Sequence, residues 1–122
     1  MIVFAVPMER EVPVVLRRGT PAPARVCVTG VGRTRASSTM ESFLDGNPGL
    51  DGNPGTDGVL VLGFAAALRD DLRTGDLVVA RRLLAAGGGE AMDCDEGLFQ
   101  AAEAALERAG ARHSAGDTLT VE

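Results

Sequence analysis

The sequence predicts an α/β protein with a mixed, largely parallel central sheet flanked by helices, and three observations carry that prediction. Short apolar runs bounded by turn residues alternate with stretches of helical periodicity, in β-α-β-α-β order. Apolar residues make up 45% of the 122, enough for one core and hardly more than one domain. The strongest run, residues 58–62 (GVLVL), is apolar at nearly every position, as in a parallel strand buried on both faces.

Taken in order, residues 2–6 (IVFAV) are a buried-strand signal. Residues 8–18 carry Val12, Val15 and Leu16 at helical spacing, with Pro13 near the helix start, where a missing N–H costs little. Gly19 and Pro21 stop that helix. A second strand is predicted over 25–29, then a helix over 33–44 with Ala36, Met40, Phe43 and Leu44 on one face. The hexapeptide LDGNPG follows twice in tandem, at 44–49 and 50–55. Asp-Gly and Asn-Pro pairs favour turns, and loop closure grows costlier only slowly with length, so residues 45–57 are expected to be an inert loop insertion. Glycine recurs at every third position from Gly46 to Gly58, far too briefly for a collagen helix. The strand at 58–62 runs into the small-residue stretch Gly63-Phe64-Ala65-Ala66-Ala67. Thr74-Gly75-Asp76 leads into a strand at 77–80, and Gly87-Gly88-Gly89 reads as flexible. Residues 95–109 form an amphipathic helix with Leu98, Ala102, Ala105, Leu106 and Ala109 on one side, capped by Asp93 or Asp95 and closed by Gly110. The last predicted strand, 117–121, ends almost where the sequence does, so an open sheet edge and a single partial domain over 1–122 are expected.

Composition narrows the chemistry. No apolar run approaches the roughly 20 residues of a membrane span, and the apolar opening has no basic segment before it, as a secretory signal would. Net charge is −5, which argues against a nucleic-acid partner. All 12 basic residues are arginine, so Schiff-base and P-loop lysine mechanisms are excluded. The aromatic residues are all phenylalanine and amount to 3%, too few for base-stacking platforms. Cys27 and Cys94 read as free thiols of a reducing, cytoplasmic setting rather than as a disulfide framework. A single histidine, His113, leaves a histidine-based metal site short of ligands and is expected in a solvated loop. Cys94, between Asp93 and Asp95, has acidic surroundings unsuited to a nucleophilic thiolate.

Three segments carry candidate sites. TGVGRTRA, residues 29–36, is a glycine turn between strand and helix, but Arg35 stands where a dinucleotide fingerprint needs its third glycine. It reads as a tight packing turn, or as a helix N-terminus where Arg33 or Arg35 holds an anion. Met8-Glu9-Arg10-Glu11 lies just past the first strand, at the strand end where open α/β sheets bind ligands. Glu9 and Glu11 are two apart, so at most one faces a cleft, and both also suit a helix N-terminus. GFAAAL, residues 63–68, follows the most apolar strand, where small side chains allow either a ligand or a neighbouring element to approach the backbone.

The order of these pieces resembles the nucleoside phosphorylase and nucleosidase superfamily, which includes methylthioadenosine/S-adenosylhomocysteine nucleosidase and futalosine hydrolase. The matching pieces are a first strand leading to Met-Glu-x-Glu, a second ending in TGVG, an apolar strand ending in G-x-A-x-A-L, and a Gly-Asp step into a further strand. The resemblance covers nearly all of this chain but only the N-terminal half of the family domain. It implies a mixed sheet flanked by helices and cleavage of an N-glycosidic bond through an oxocarbenium-like transition state. It implies that Glu11 orients and deprotonates the attacking water, that Met8 lines the ribose pocket, and that Gly63, Phe64, Ala65 and Ala66 form the turn facing the ribose. Phe64 stands where many members have serine, and Ala66 where they have glycine, which removes a hydroxyl donor and adds a methyl.

The resemblance implies that a phosphorylase of this family would often present arginines near these turns. Val61 and Leu62 precede the second turn and Val6-Pro7-Met8 makes the first, so hydrolysis is favoured, with Arg33 and Arg35 as the phosphate-binding alternative. The family's ribose-binding Met-Glu pair and base-protonating aspartate belong to its C-terminal half, so this chain alone is expected to be weakly active or inactive. The implied partners are a small-molecule nucleoside of salvage metabolism, phosphate as an alternative nucleophile, and a second copy or a complementing C-terminal half. No cofactor and no metal are expected. Two rival readings stand beside this one: a non-catalytic remnant or assembly partner of that family, and a dinucleotide-binding module.

Overall fold

The computed structural model describes residues 1–18, 24–46 and 55–120. The chain divides into two compact units, Met1–Ala65 and Ala66–Glu122.

In the first unit, β1 (Ile2–Val6) lies between β2 (Ala24–Val28) and β3 (Gly58–Val61) and runs parallel to both. Val3 pairs with Arg25 and Val59, and Ala5 with Cys27 and Val61. Pleating puts alternate rows on opposite faces. Met1, Val3 and Cys27 form a buried cluster, and Met40 and Phe43 of α2 (Arg33–Asp45) pack against it with Val59. Burial pushes the Cys27 thiol pKa up, in keeping with an inert core residue. Leu44, predicted on the packed face of α2, is exposed, because the face that meets the core is set by Met40 and Phe43.

Two expectations for this unit change. The helix predicted over 8–18 is split into a 3-10 turn, Glu9–Glu11, and a four-residue α1, Val14–Arg17. The cause is Pro13: the residue before a proline is pushed to extended backbone, and Val12 has φ −63° and ψ 119°. Pro13 still opens α1, its carbonyl accepting from the N–H groups of Leu16 and Arg17. The strand at 58–62, expected to be buried on both faces, is one of the two outer strands among the described residues of its sheet, and Val61 is 73% exposed. An apolar run reports burial potential, not the number of flanking strands. The tandem hexapeptide lies mostly outside the described residues. Of the predicted loop, Asp45 ends α2, and Asp57 pairs with the Met1 ammonium and donates its N–H to the Met1 carbonyl at 2.8 Å.

In the second unit, β4 (Leu77–Ala85) pairs parallel with β6 (His113–Thr120) and antiparallel with the two-residue β5 (Met92–Asp93). The β4–β6 register shifts between Ala80 and Arg82, leaving Arg81 without a partner in that ladder. Its guanidinium sits 4.4 Å over the ring of Phe99 on α3 (Glu96–Arg108). Phe99 is 5% exposed, whereas Ala105 and Ala109, predicted on the packed face, are exposed. Asp95 is the residue that caps α3, its carboxylate accepting from the Leu98 N–H at 2.8 Å. Asp95→Ala is expected to cost about 1 kcal/mol, read as a shift in the denaturant midpoint of this unit. His113, expected in a solvated loop, is the first residue of β6 and is half-buried, its Nδ1 2.9 Å from the Ala111 carbonyl.

Arg82 and Asp117 tie β4 to β6 at 2.7 Å, and the guanidinium's hydrogen bond holds the Asp117 carboxyl below the usual carboxylate range. A depressed folded-state pKa gives stability that is present above the unfolded-state pKa and is lost as pH falls through the folded one. We therefore expect Arg82→Gln to be less stable than the parent at neutral pH, with the gap closing on acidification below the carboxylate range. Urea unfolding at a series of pH values checks this.

Candidate functional site

The site is built where β1 and β3 end. Adjacent parallel strands carry their following loops to the same end of the sheet. The ladder continues one step past β3, with the Leu62 N–H donating to the Ala5 carbonyl at 2.9 Å. Gly63 then lies in van der Waals reach of the Pro7 ring, 3.7 Å from where a Cβ would stand. The loop after β1 and the turn after β3 therefore run side by side.

The 3-10 turn aims Glu11. Its N–H donates to the Met8 carbonyl at 2.9 Å, and the Glu11 side chain folds back so that Oε2 accepts the Met8 N–H at 3.2 Å. Oε1 accepts the Phe64 N–H at 3.5 Å, a long contact at the limit of hydrogen bonding. The carboxylate thus bridges the two loops. Glu9 is exposed, and its carbonyl accepts from Arg17 Nη2 at 3.0 Å. Of the two carboxylates, Glu11 is the one turned toward the small-residue stretch.

Around Glu11, Met8 is half-buried and Gly63, Phe64 and Ala65 are exposed. Ala65 closes the first unit, and Ala66 opens the second. Sequence reasoning did not reveal the two backbone N–H donors, because every residue has one. The signal that could have found them was the β1–β3 adjacency, which places Phe64 beside Glu11 across 53 residues.

At the end of β2, the Thr29 N–H donates to the Val6 carbonyl at 2.9 Å. Gly30 and Gly32 have φ +82° and +94°, the left-handed region that favours glycine. The methylene stem of Arg35 lies against Gly30, over backbone that a bound pyrophosphate would have to approach in a dinucleotide site. Arg33 and Arg35 begin α2.

In the second unit, Asp71, Leu72, Asp76, Arg112, His113 and Ser114 line a cavity of about 110 Å³, well below the roughly 300–1,000 Å³ of small-molecule sites. There Arg112 pairs with Asp76 at 3.0 Å, and Asp71 is held below the usual carboxylate range by its hydrogen bond to Arg69. Among the described residues, no three His, Cys, Asp or Glu side chains converge as metal ligands, and no helix is long and apolar enough to cross a membrane.

The chain shares its α/β fold with solved structures of nucleosidases. One is a Helicobacter pylori 5'-methylthioadenosine/S-adenosylhomocysteine nucleosidase, an aspartate-to-asparagine mutant with 5'-methylthioadenosine in its active site, at a TM-score of 0.80 and 16% identity. A second structure of that nucleosidase, complexed with a substituted pyrrolidinol, has a TM-score of 0.78 and 16% identity. A putative nucleosidase of the same kind from Francisella philomiragia has a TM-score of 0.77, again at 16% identity. Each alignment covers 98% of this chain, which spans only 64%, 63% and 64% of the three neighbours in turn. No protein-family model matches the sequence, and comparison with curated proteins gives no match.

Proposed function

We propose that this chain carries the water-activating part of an enzyme that hydrolyses the N-glycosidic bond of a nucleoside. The observation that supports it best is the Glu11 carboxylate, held by the N–H groups of Met8 and Phe64 at the ligand-binding end of a parallel sheet. An ionised carboxylate accepts about four hydrogen bonds, so two backbone donors orient Glu11 and leave acceptor positions for water.

In the proposed step, Glu11 takes a proton from water as the water oxygen bonds to the anomeric carbon. The C–N bond breaks, its electron pair goes to the base, and an acid protonates the base. Sugar and free base are the products. The acid is assigned to a segment outside residues 1–122, the counterpart of the part of the nucleosidase neighbours that this chain does not span. Met8, Gly63, Phe64 and Ala65 are assigned to the sugar side of the pocket, and Arg33 and Arg35 to phosphate only if phosphate is the nucleophile. Water is favoured, because the loop Val6-Pro7-Met8 and the residues Val61 and Leu62 before the turn contain no arginine.

The test is base release from 5'-methylthioadenosine by the chain combined with such a segment, in phosphate-free buffer. Free base with free sugar is expected. Release only on adding phosphate, with the sugar recovered as its 1-phosphate, would replace hydrolysis by phosphorolysis. No release in either buffer would favour a non-catalytic assembly role.

A further inference from the structure

Phe64 is 85% exposed, although phenylalanine is among the residues most often buried. Its ring begins three bonds from the nitrogen that meets Glu11 Oε1, so a sugar seated on that carboxylate lies within reach of the ring. The neighbours on this turn, Gly63 and Ala65, carry no polar side chain.

Stereochemistry then decides which side of the sugar meets the ring. Water that attacks the anomeric carbon with inversion comes from the face opposite the leaving base. On a ribonucleoside that face bears the 2'- and 3'-hydroxyls. Resting on the nucleosidase reading above, we propose that Phe64 is a specificity-determining residue that favours 2'-deoxynucleosides over ribonucleosides. Its ring packs on the hydroxyl-bearing face of the sugar, where a 2'-hydroxyl loses water without gaining a partner.

Calorimetric titration of the 122-residue chain with 2'-deoxyadenosine and with adenosine tests this. The deoxynucleoside is expected to bind about fivefold tighter or more. Phe64→Ser, which restores a hydroxyl at an exposed position, is expected to erase or reverse that ratio. A purely structural effect would weaken both ligands equally and leave the ratio unchanged, which would overturn the proposal. So would parent protein that binds adenosine as tightly as 2'-deoxyadenosine, and in either case the nucleosidase reading would survive. Binding of neither nucleoside at millimolar concentration would overturn the proposal, and base release by the chain combined with the acid-bearing segment would then decide the nucleosidase reading.

Discussion

Replacing Glu11 by glutamine is expected to lower base release by about 10²–10⁴-fold, the usual contribution of a positioned general base. Glutamine keeps the shape of the side chain but has no charge and cannot take the proton from water. It also presents one NH₂ and one oxygen to two backbone donors, so it can satisfy the N–H of Met8 or of Phe64, but not both. The loss should fall on kcat more than on KM, because in the proposed step the carboxylate acts on the nucleophile rather than on the bound sugar. Circular dichroism should stay unchanged, since Glu11 is half-buried and outside the β1 core. Full activity in the glutamine variant would remove Glu11 from the chemistry.

The largest stability effect is expected at Phe99. It is the one buried apolar side chain among the described residues of the second unit, and it lies under the Arg81 guanidinium. Truncation to alanine removes its packing and the cation–π contact together, at about 3–5 kcal/mol. That is most of the stability a small unit has, so protection of the β4 and β6 amides from hydrogen exchange should collapse. Phe99→Leu should restore most of it, because volume rather than the ring dominates the loss. An alanine variant with unchanged exchange at β4 and β6 would show that this core is held elsewhere.

How much of this could be read in advance depended on the kind of signal. β1, α2 and α3 follow from apolar runs and helical periodicity, and each lies within one or two residues of its expected bounds. The Asp95 cap was legible as a residue type and settled only by the bond to Leu98. The helix over 8–18 failed because one proline acts backwards on Val12, which local periodicity does not register. GVLVL was read as buried on both faces, yet Val61 is exposed, because strand order is set by non-local pairing. Phe99 was overlooked because counting alanines on a helix face hides the one large side chain that fills the core. Glu11 stood out only through the resemblance. Its two donors are backbone groups, and no residue-type pattern reveals them.

The amide signals of Met8 and Phe64 offer the most direct measurement, since both N–H groups end on the same carboxylate. In an NMR titration of the ¹⁵N-labelled chain with 5'-methylthioadenosine, a nucleoside seated over Glu11 should move both signals together along one saturation curve. In Glu11→Gln the two should no longer move together. Signals that stay fixed at Met8 and Phe64 while a different part of the chain responds would contradict a sugar site at Glu11.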